Sequence, residues 1–169
     1  MKMKTICILI LAMIVVTIVV SMISTKVEAT TNDTCISNEI QSIVEDVSAK
    51  YNVCPELILA IIEQESSGNP NAVNGDCKGL MQVSEKWHSD RMKKLGVKSL
   101  YDPSGNILVA ADYISELADQ WEDLAMVLDI YHGDSKAMWN YENGIVSKYA
   151  QGIIDRTKEL EAKHGKLEA

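Results

Sequence analysis

The run Leu57-Ile58-Leu59-Ala60-Ile61-Ile62 has no polar face, and it constrains the fold more than any other stretch of the 169 residues. Pro55 stands just before it, where a helix tolerates proline in its first turn, and Ser66-Ser67-Gly68-Asn69-Pro70 stops it. A helix that is apolar all round is buried, so other elements must surround it. The neighbours are helical too. Ile40, Ile43, Val44, Val47 and Tyr51 recur at helical spacing over about 37–51, and Ile107, Ala110, Ala111, Ile114, Leu117 and Trp121 form one stripe after Asp102-Pro103. Further helices are expected near 123–132, stopped by Gly133, and near 145–162, with a turn around Ala137 to Tyr141 between them. The stretch after Pro70 up to Lys78 reads as loop, and 79–96 as a broken helical region that Ser84 caps. No segment alternates like a strand and no repeat is visible. One all-α globular domain of about six helices follows. With no Phe in the chain, its core must be aliphatic, with 6 Tyr and 3 Trp as the only aromatics.

The N-terminal segment is read as an address. Lys2 and Lys4 precede an uncharged run from Thr5 to Ser24, followed by Val27-Glu28-Ala29. That is a secretory signal pattern, with an apolar stretch long enough for an uncleaved membrane anchor to compete. Residues 1–29 are therefore expected to be a signal peptide or anchor, 30–36 a linker and 37–169 the domain, placed outside the cytoplasm. Residues 1–29 carry a net charge of +2, which leaves −10 on the body out of the chain's −8. A body that acidic excludes a generic nucleic-acid binder.

Cys35, Cys54 and Cys77 lie in the exported part, where disulfides persist. Antiparallel packing of the first two helices would bring the start of one near the end of the other. Cys35 is accordingly expected to pair with Cys77, with Cys54 reduced at the opposite hairpin end and Cys35 to Cys54 as the fallback. No Cys-x-x-Cys or clustered His accompanies them, so neither zinc nor any other metal is expected.

At 100° per residue, Glu65 falls in the same narrow sector as Ile58, Ile61 and Ile62, whereas Glu63 points away, toward solvent. A carboxyl on an apolar stripe, at a helix end where a polar loop begins, is the setting in which general acids are found. Fraying of that helix end, with Glu65 simply reaching water, is the bland alternative.

Ala60-Ile61-Ile62-Glu63-Gln64-Glu65-Ser66, then Asn69-Pro70-Asn71-Ala72-Val73, then Gly79-Leu80-Met81-Gln82, resembles the signature of the lytic transglycosylases of the soluble-lytic-transglycosylase and goose-type lysozyme superfamily. Leu100-Tyr101-Asp102-Pro103 and Asn106-Ile107 continue the likeness, which spans roughly residues 51–154. The resemblance implies a lysozyme-like domain that cleaves peptidoglycan glycan strands without a cofactor. It puts the single essential glutamate on Glu65, with Ser66 beside it in contact with sugar. Met81 and Gln82 would belong to the cleft wall, and Tyr149 would be the late tyrosine that faces the glutamate. Ile130-Tyr131-His132-Gly133 stands where the family reads Ala-Tyr-Asn before a glycine, so Tyr131 matches and His132 departs. Trp87 follows the Gly-Leu-Met-Gln turn closely and is the sugar-stacking candidate, while Trp121 belongs to an apolar stripe.

Three functions are compatible with this reading. The first is a transglycosylase that closes a 1,6-anhydro ring on N-acetylmuramic acid. The second is a hydrolytic muramidase, which needs a second carboxylate; Ser84 occupies the place where one often follows in goose-type enzymes, leaving Asp76 and Glu85 as substitutes. The third is a noncatalytic, anchored glycan-binding scaffold. For the enzyme, the partners implied are glycan strands and a cell-envelope machine for remodelling, secretion, conjugation or phage entry.

Overall fold

The computed structural model describes residues 34–164. The expected signal or anchor at 1–29 and most of the linker lie outside those residues. The chain is already docked where the description begins: Ile36 is buried, and its carbonyl accepts a 2.8 Å hydrogen bond from Gln41 Nε2.

Among the described residues there are seven helices and one small sheet. Helix α1 (Asn38–Tyr51) is capped by Ser37, whose hydroxyl accepts from Ile40 N–H, and it stops at Asn52 in the left-handed conformation. Helix α2 (Pro55–Ser66) has Pro55 in its first turn, and all six residues from Leu57 to Ile62 are buried. It packs between α1 and α7 (Lys148–His164), the central position that its lack of a polar face requires. Helix α4 (Pro103–Gln120), capped by Asp102 through Gly105 N–H at 2.8 Å, crosses α1 and carries α3 (Glu85–Leu95) and α5 (Leu124–His132) on its flanks. The core is aliphatic, built on Val44, Ile58, Ile61, Ile62, Leu80, Ile107, Leu128 and Leu160. Each such side chain contributes about 1.5–3 kcal/mol of burial.

Several expectations need correction. The segment read as loop forms an antiparallel sheet of strands β1 (Val73–Asn74), β2 (Cys77–Lys78) and β3 (Val83–Ser84), with Asn74 opposite Cys77 and Cys77 opposite Ser84. Strands of two residues are too short to show an alternation in sequence. Ser84 stands at the N-cap position of α3, but its hydroxyl makes no cap bond and has no partner. The turn expected at 137–141 is a short helix, α6 (Ala137–Glu142).

The Cys35–Cys77 bridge is not formed: Cys35, Cys54 and Cys77 are free thiols. Helix packing does bring Cys35 to the end of α2, where its thiol lies 3.7 Å from Ser67 O. The hairpin, however, sets Cys77 into the wall of a cleft, in the field of Glu65. Cys54 lies at the start of α2, and its thiol donates to Glu56 Oε2 at 3.0 Å.

Nor is Glu63 a solvated carboxylate. Arg156 on α7 grips it with two bonds, Nε to Oε2 at 2.7 Å and Nη2 to Oε1 at 3.1 Å. Ninety-three residues of separation hid that partner. At the other end of the same helix pair, His164 Nδ1 lies 2.7 Å from Glu56 Oε1.

These contacts tie stability to pH. Partial burial by itself raises the pKa of Glu63, but hydrogen bonds from Arg156 and Thr34 and the guanidinium charge outweigh it and hold the carboxyl below its ordinary 4.5. Glu56 is held below 4.5 in the same manner, burial being outweighed by hydrogen bonds from Cys54 and His164. A carboxyl depressed in the folded state stabilises the fold above its unfolded pKa, and the contribution is lost as pH falls through the folded value. Urea denaturation at stepped pH is therefore expected to show this stabilisation complete above pH 4.5 and lost progressively below it. Glu63→Gln should lower stability at neutral pH and make the acid loss shallower; an unchanged slope would remove Glu63 from the account.

Candidate functional site

Four residues after the fully buried Ile61, α2 reaches its last turn and the core gives way to the cleft side of the molecule. Glu65 sits there, half-buried, on the stripe that its spacing predicted. Its Oε1 accepts a 2.5 Å hydrogen bond from the hydroxyl of Tyr149, the second residue of α7. Burial pushes the Tyr149 phenol up, and the Glu65 charge and hydrogen bond push it further. The phenol therefore stays a donor across the whole working range of pH. Tyr131, near the C-terminus of α5, is raised by burial and then by Glu65, and its hydroxyl donates to Met81 O at 2.7 Å. His132 stacks on Tyr149, with ring centres 3.9 Å apart and planes 19° from parallel.

The opposite wall is the Gly79–Gln82 turn. Gly79 has φ +77°, and a Cβ there would lie 2.2 Å from Leu100 O and 2.4 Å from Asn106 Nδ2, so only glycine fits. Asn106, fully buried on α4, is the reason for that closeness. Its Oδ1 accepts from Met81 N–H at 2.8 Å, and its Nδ2 donates to Lys78 O and Leu100 O, both at 2.8 Å. Gln82 follows in the left-handed region at φ +47°, with Nε2 donating to Gly79 O at 2.9 Å and Ala72 O at 3.2 Å.

Beyond these residues opens a cleft of about 620 Å³, bordered among others by Cys77, Gln82, Trp87, Tyr113, Tyr131 and His132. Trp87 stands at its lip, 78% exposed. His88, in contact with the Tyr113 ring, has its pKa lowered by burial and by the Arg91 charge. Glu65, Ser66 and Tyr149 do not line this cavity; Glu65 neighbours Tyr131 and Tyr149 stacks on His132, both of which border it.

The residues singled out from sequence therefore separate. Glu65, Tyr149 and Tyr131 come together, Gln82 and Trp87 border the cleft, and Ser66 is turned back on its own helix, its hydroxyl donating to Ile62 O at 3.2 Å. Met81 is a correction: its side chain is wholly buried in the core and can touch no ligand from the cleft, so its part is played by its main chain. Gln82 spends its amide N–H groups on the turn, which leaves its carbonyl oxygen for any ligand. Trp121 is half-buried, edge-on to Tyr141 at 5.6 Å. Sequence reasoning missed Asn106 as a builder of the site, although an asparagine among apolar helix positions is the kind of signal that marks one. Among the described residues no grouping of His, Cys, Asp and Glu is arranged for a metal ion.

A carboxyl held by a neutral phenol beside an open, aromatic-edged cleft can exchange a proton with a ligand oxygen. Comparison with known proteins identifies the family of the fold that carries these residues. The family model for the transglycosylase SLT domain matches residues 42–160. A transglycosylase of Enterobacteria phage PRD1 is 38% identical over 94 residues, covering 54% of this chain and 34% of that protein. Membrane-bound lytic murein transglycosylase C of Yersinia enterocolitica is 39% identical over 87 residues, covering 47% and 24%. Its namesake in Yersinia pestis strain Pestoides F is 31% identical over 149 residues, covering 72% and 40%. The chain thus spans between 24% and 40% of the length of these relatives.

Asn106→Asp is expected to destabilise the protein by about 3 kcal/mol or more. The substitution keeps the shape but turns a buried donor into an acceptor facing two carbonyls. Chemical denaturation measures it, and a change under about 1 kcal/mol would contradict this account of the turn.

Proposed function

The chain belongs to the transglycosylase SLT domain family, and from that membership we propose that it is a peptidoglycan lytic transglycosylase acting outside the cytoplasm. The observation that carries the reading is the 2.5 Å bond from Tyr149 to Glu65 at the end of a buried helix. The bond cleaved is the β-1,4 linkage between N-acetylmuramic acid and N-acetylglucosamine. Glu65 gives its proton to the glycosidic oxygen as the bond from the muramyl carbon to that oxygen breaks. The muramyl 6-hydroxyl then attacks the same carbon, and its proton returns to Glu65. The glutamate is restored, no water is consumed, and the product ends in 1,6-anhydro-N-acetylmuramic acid.

One carboxyl serves both steps because the nucleophile belongs to the substrate and is already beside the reacting carbon. Tyr149 donates to Glu65 throughout and steadies it when it carries the negative charge. Gln82 offers its carbonyl oxygen to an acetamido N–H, and Trp87 an exposed ring to a pyranose face.

Hydrolysis would need a second carboxyl to hold a water. Glu85 is paired with Lys78 at 2.8 Å, and Asp76 is exposed at the hairpin tip; these two are the carboxyls on which a hydrolytic reaction would depend. Delivery to the wall is assigned to the lysine-flanked apolar run at the N-terminus, as a signal peptide or an anchor. Glycan strands are the substrate, and a wall-spanning machine is the partner this activity would serve.

Glu65→Gln should leave a folded protein whose release of muropeptides from purified peptidoglycan is about 10²–10⁴-fold slower, with Glu63→Gln still active. Mass spectrometry should find wild-type products one water lighter than reducing muropeptides from the earliest time points. Reducing N-acetylmuramic acid as the dominant end, abolished by Asp76→Asn or Glu85→Gln, would make the enzyme a muramidase. Full activity of Glu65→Gln would remove the glutamate from the mechanism.

A further inference from the structure

In the apolar run Met126-Val127-Leu128-Asp129-Ile130 the aspartate is an anomaly, and it is buried, only 2% exposed. Burial of a carboxyl is unfavourable unless its oxygens are hydrogen-bonded, and both are. Oδ2 accepts from Asn140 Nδ2 of α6 at 3.0 Å, and Oδ1 accepts a short bond from the Ser147 hydroxyl. Ser147 is the residue before α7. Its Oγ accepts from Ala150 N–H at 3.0 Å and its carbonyl from Gln151 N–H at 2.9 Å, so it is the N-cap of that helix. Asp129 thus joins α5, the short helix α6 and the first turn of α7 at one point.

Two residues past that cap comes Tyr149. Each helical residue turns the chain by 100°, so a slip of the cap by one position would swing the phenol away from Glu65. A hydrogen bond tolerates only a few tenths of an ångström before it weakens. Asp129 also lies one turn before His132, whose ring stacks on Tyr149. The start of α7 is therefore tied to α5 twice, by Asp129 through the Ser147 cap and by His132 through the Tyr149 ring.

We propose that Asp129 is a positioning residue: through Ser147 it sets the start and rotation of α7, and so holds the Tyr149 hydroxyl on Glu65. The proposal rests on the reading of Glu65 as the acting carboxyl, and it adds a residue that never touches substrate. An apolar side chain in its place would suit the core better; what the carboxyl supplies is a fixed anchor for a helix start that carries a functional phenol.

The test is a double-mutant cycle on the full chain, with kcat and KM for release of muropeptides and a thermal melt for each protein. Asp129→Asn is expected to lower kcat about 10–100-fold with KM within twofold, as a misplaced group does. In the Tyr149→Phe background the same change should cost less than about twofold more, because the hydroxyl it positions is already gone. A merely structural role would give the same factor in both backgrounds, and that result overturns the proposal. Ser147→Ala should follow Asp129→Asn, while Ser147→Thr, which keeps the hydroxyl, should retain wild-type kcat. This pair carries the test if Asp129→Asn does not fold, and equal kcat for Ala and Thr counts against the proposal. A crystal structure of Asp129→Asn, or of Ser147→Ala, should show the Tyr149 to Glu65 distance opened beyond 3.5 Å; an unchanged contact refutes the proposal even if the wild type proves to have no lytic activity, an outcome that would separately end the functional reading.

Discussion

One buried amide sets the geometry on which the cleft depends. Asn106 reaches from α4 to three main-chain groups, Lys78 O, Met81 N–H and Leu100 O, and places the Gly79–Gln82 turn against the helix. Without it those groups would be buried and unsatisfied, each at a cost of about 1–3 kcal/mol. With it, the approach is so close that residue 79 has no room for a Cβ. Met81, fixed by its N–H, presents its carbonyl to the Tyr131 hydroxyl, and Tyr131 in turn stands in the field of Glu65. Packing, a turn and a titrating site are thus linked through one side chain.

The two glutamates at the end of α2 show how environment divides identical groups. Two residues on an α-helix differ by 200°, so Glu63 and Glu65 leave the helix on nearly opposite sides. Glu63 meets a guanidinium, which holds it below the usual carboxylate range and makes it part of the seam between α2 and α7. Glu65 meets a phenol raised far above neutrality, a donor without charge. A cation beside a carboxyl favours its ionised form, whereas a neutral phenol brings a hydrogen bond and no charge of its own. Both partners come from α7, so one helix stabilises the fold with one face and serves the site with another.

Much of this was legible in the chain. The six apolar residues before Glu63 could belong only to a buried helix, and 100° spacing put Glu65 on the core side of it. Asp102-Pro103 marked the start of α4, and Gly133 the end of α5. The hairpin was not legible, since two-residue strands carry no period, nor was α6, whose six residues are fewer than two turns. The expected disulfide rested on a sound inference about which helix ends meet, and Cys35 does lie at the end of α2; the direction in which a hairpin turns its cysteine is not written in helix periodicity.

What the sequence determined by itself is therefore whatever follows from local spacing: the helices, their apolar faces, the aliphatic core of a chain without phenylalanine, and the face on which the key carboxyl sits. These depend on residues within a turn or two of one another, where geometry is fixed by 3.6 residues per turn. Only the tertiary structure decided the partners. Arg156 for Glu63, Asn106 for the glycine turn and Ser147 for Asp129 are separated by 93, about 25 and 18 residues, and Tyr149, 84 residues from Glu65, was indicated only by the family resemblance. Hydrogen bonds act over about 3 Å and carry no mark in the chain of which distant group will satisfy them. Packing of the apolar faces brings those groups within reach, and the chemistry of the site follows from that packing.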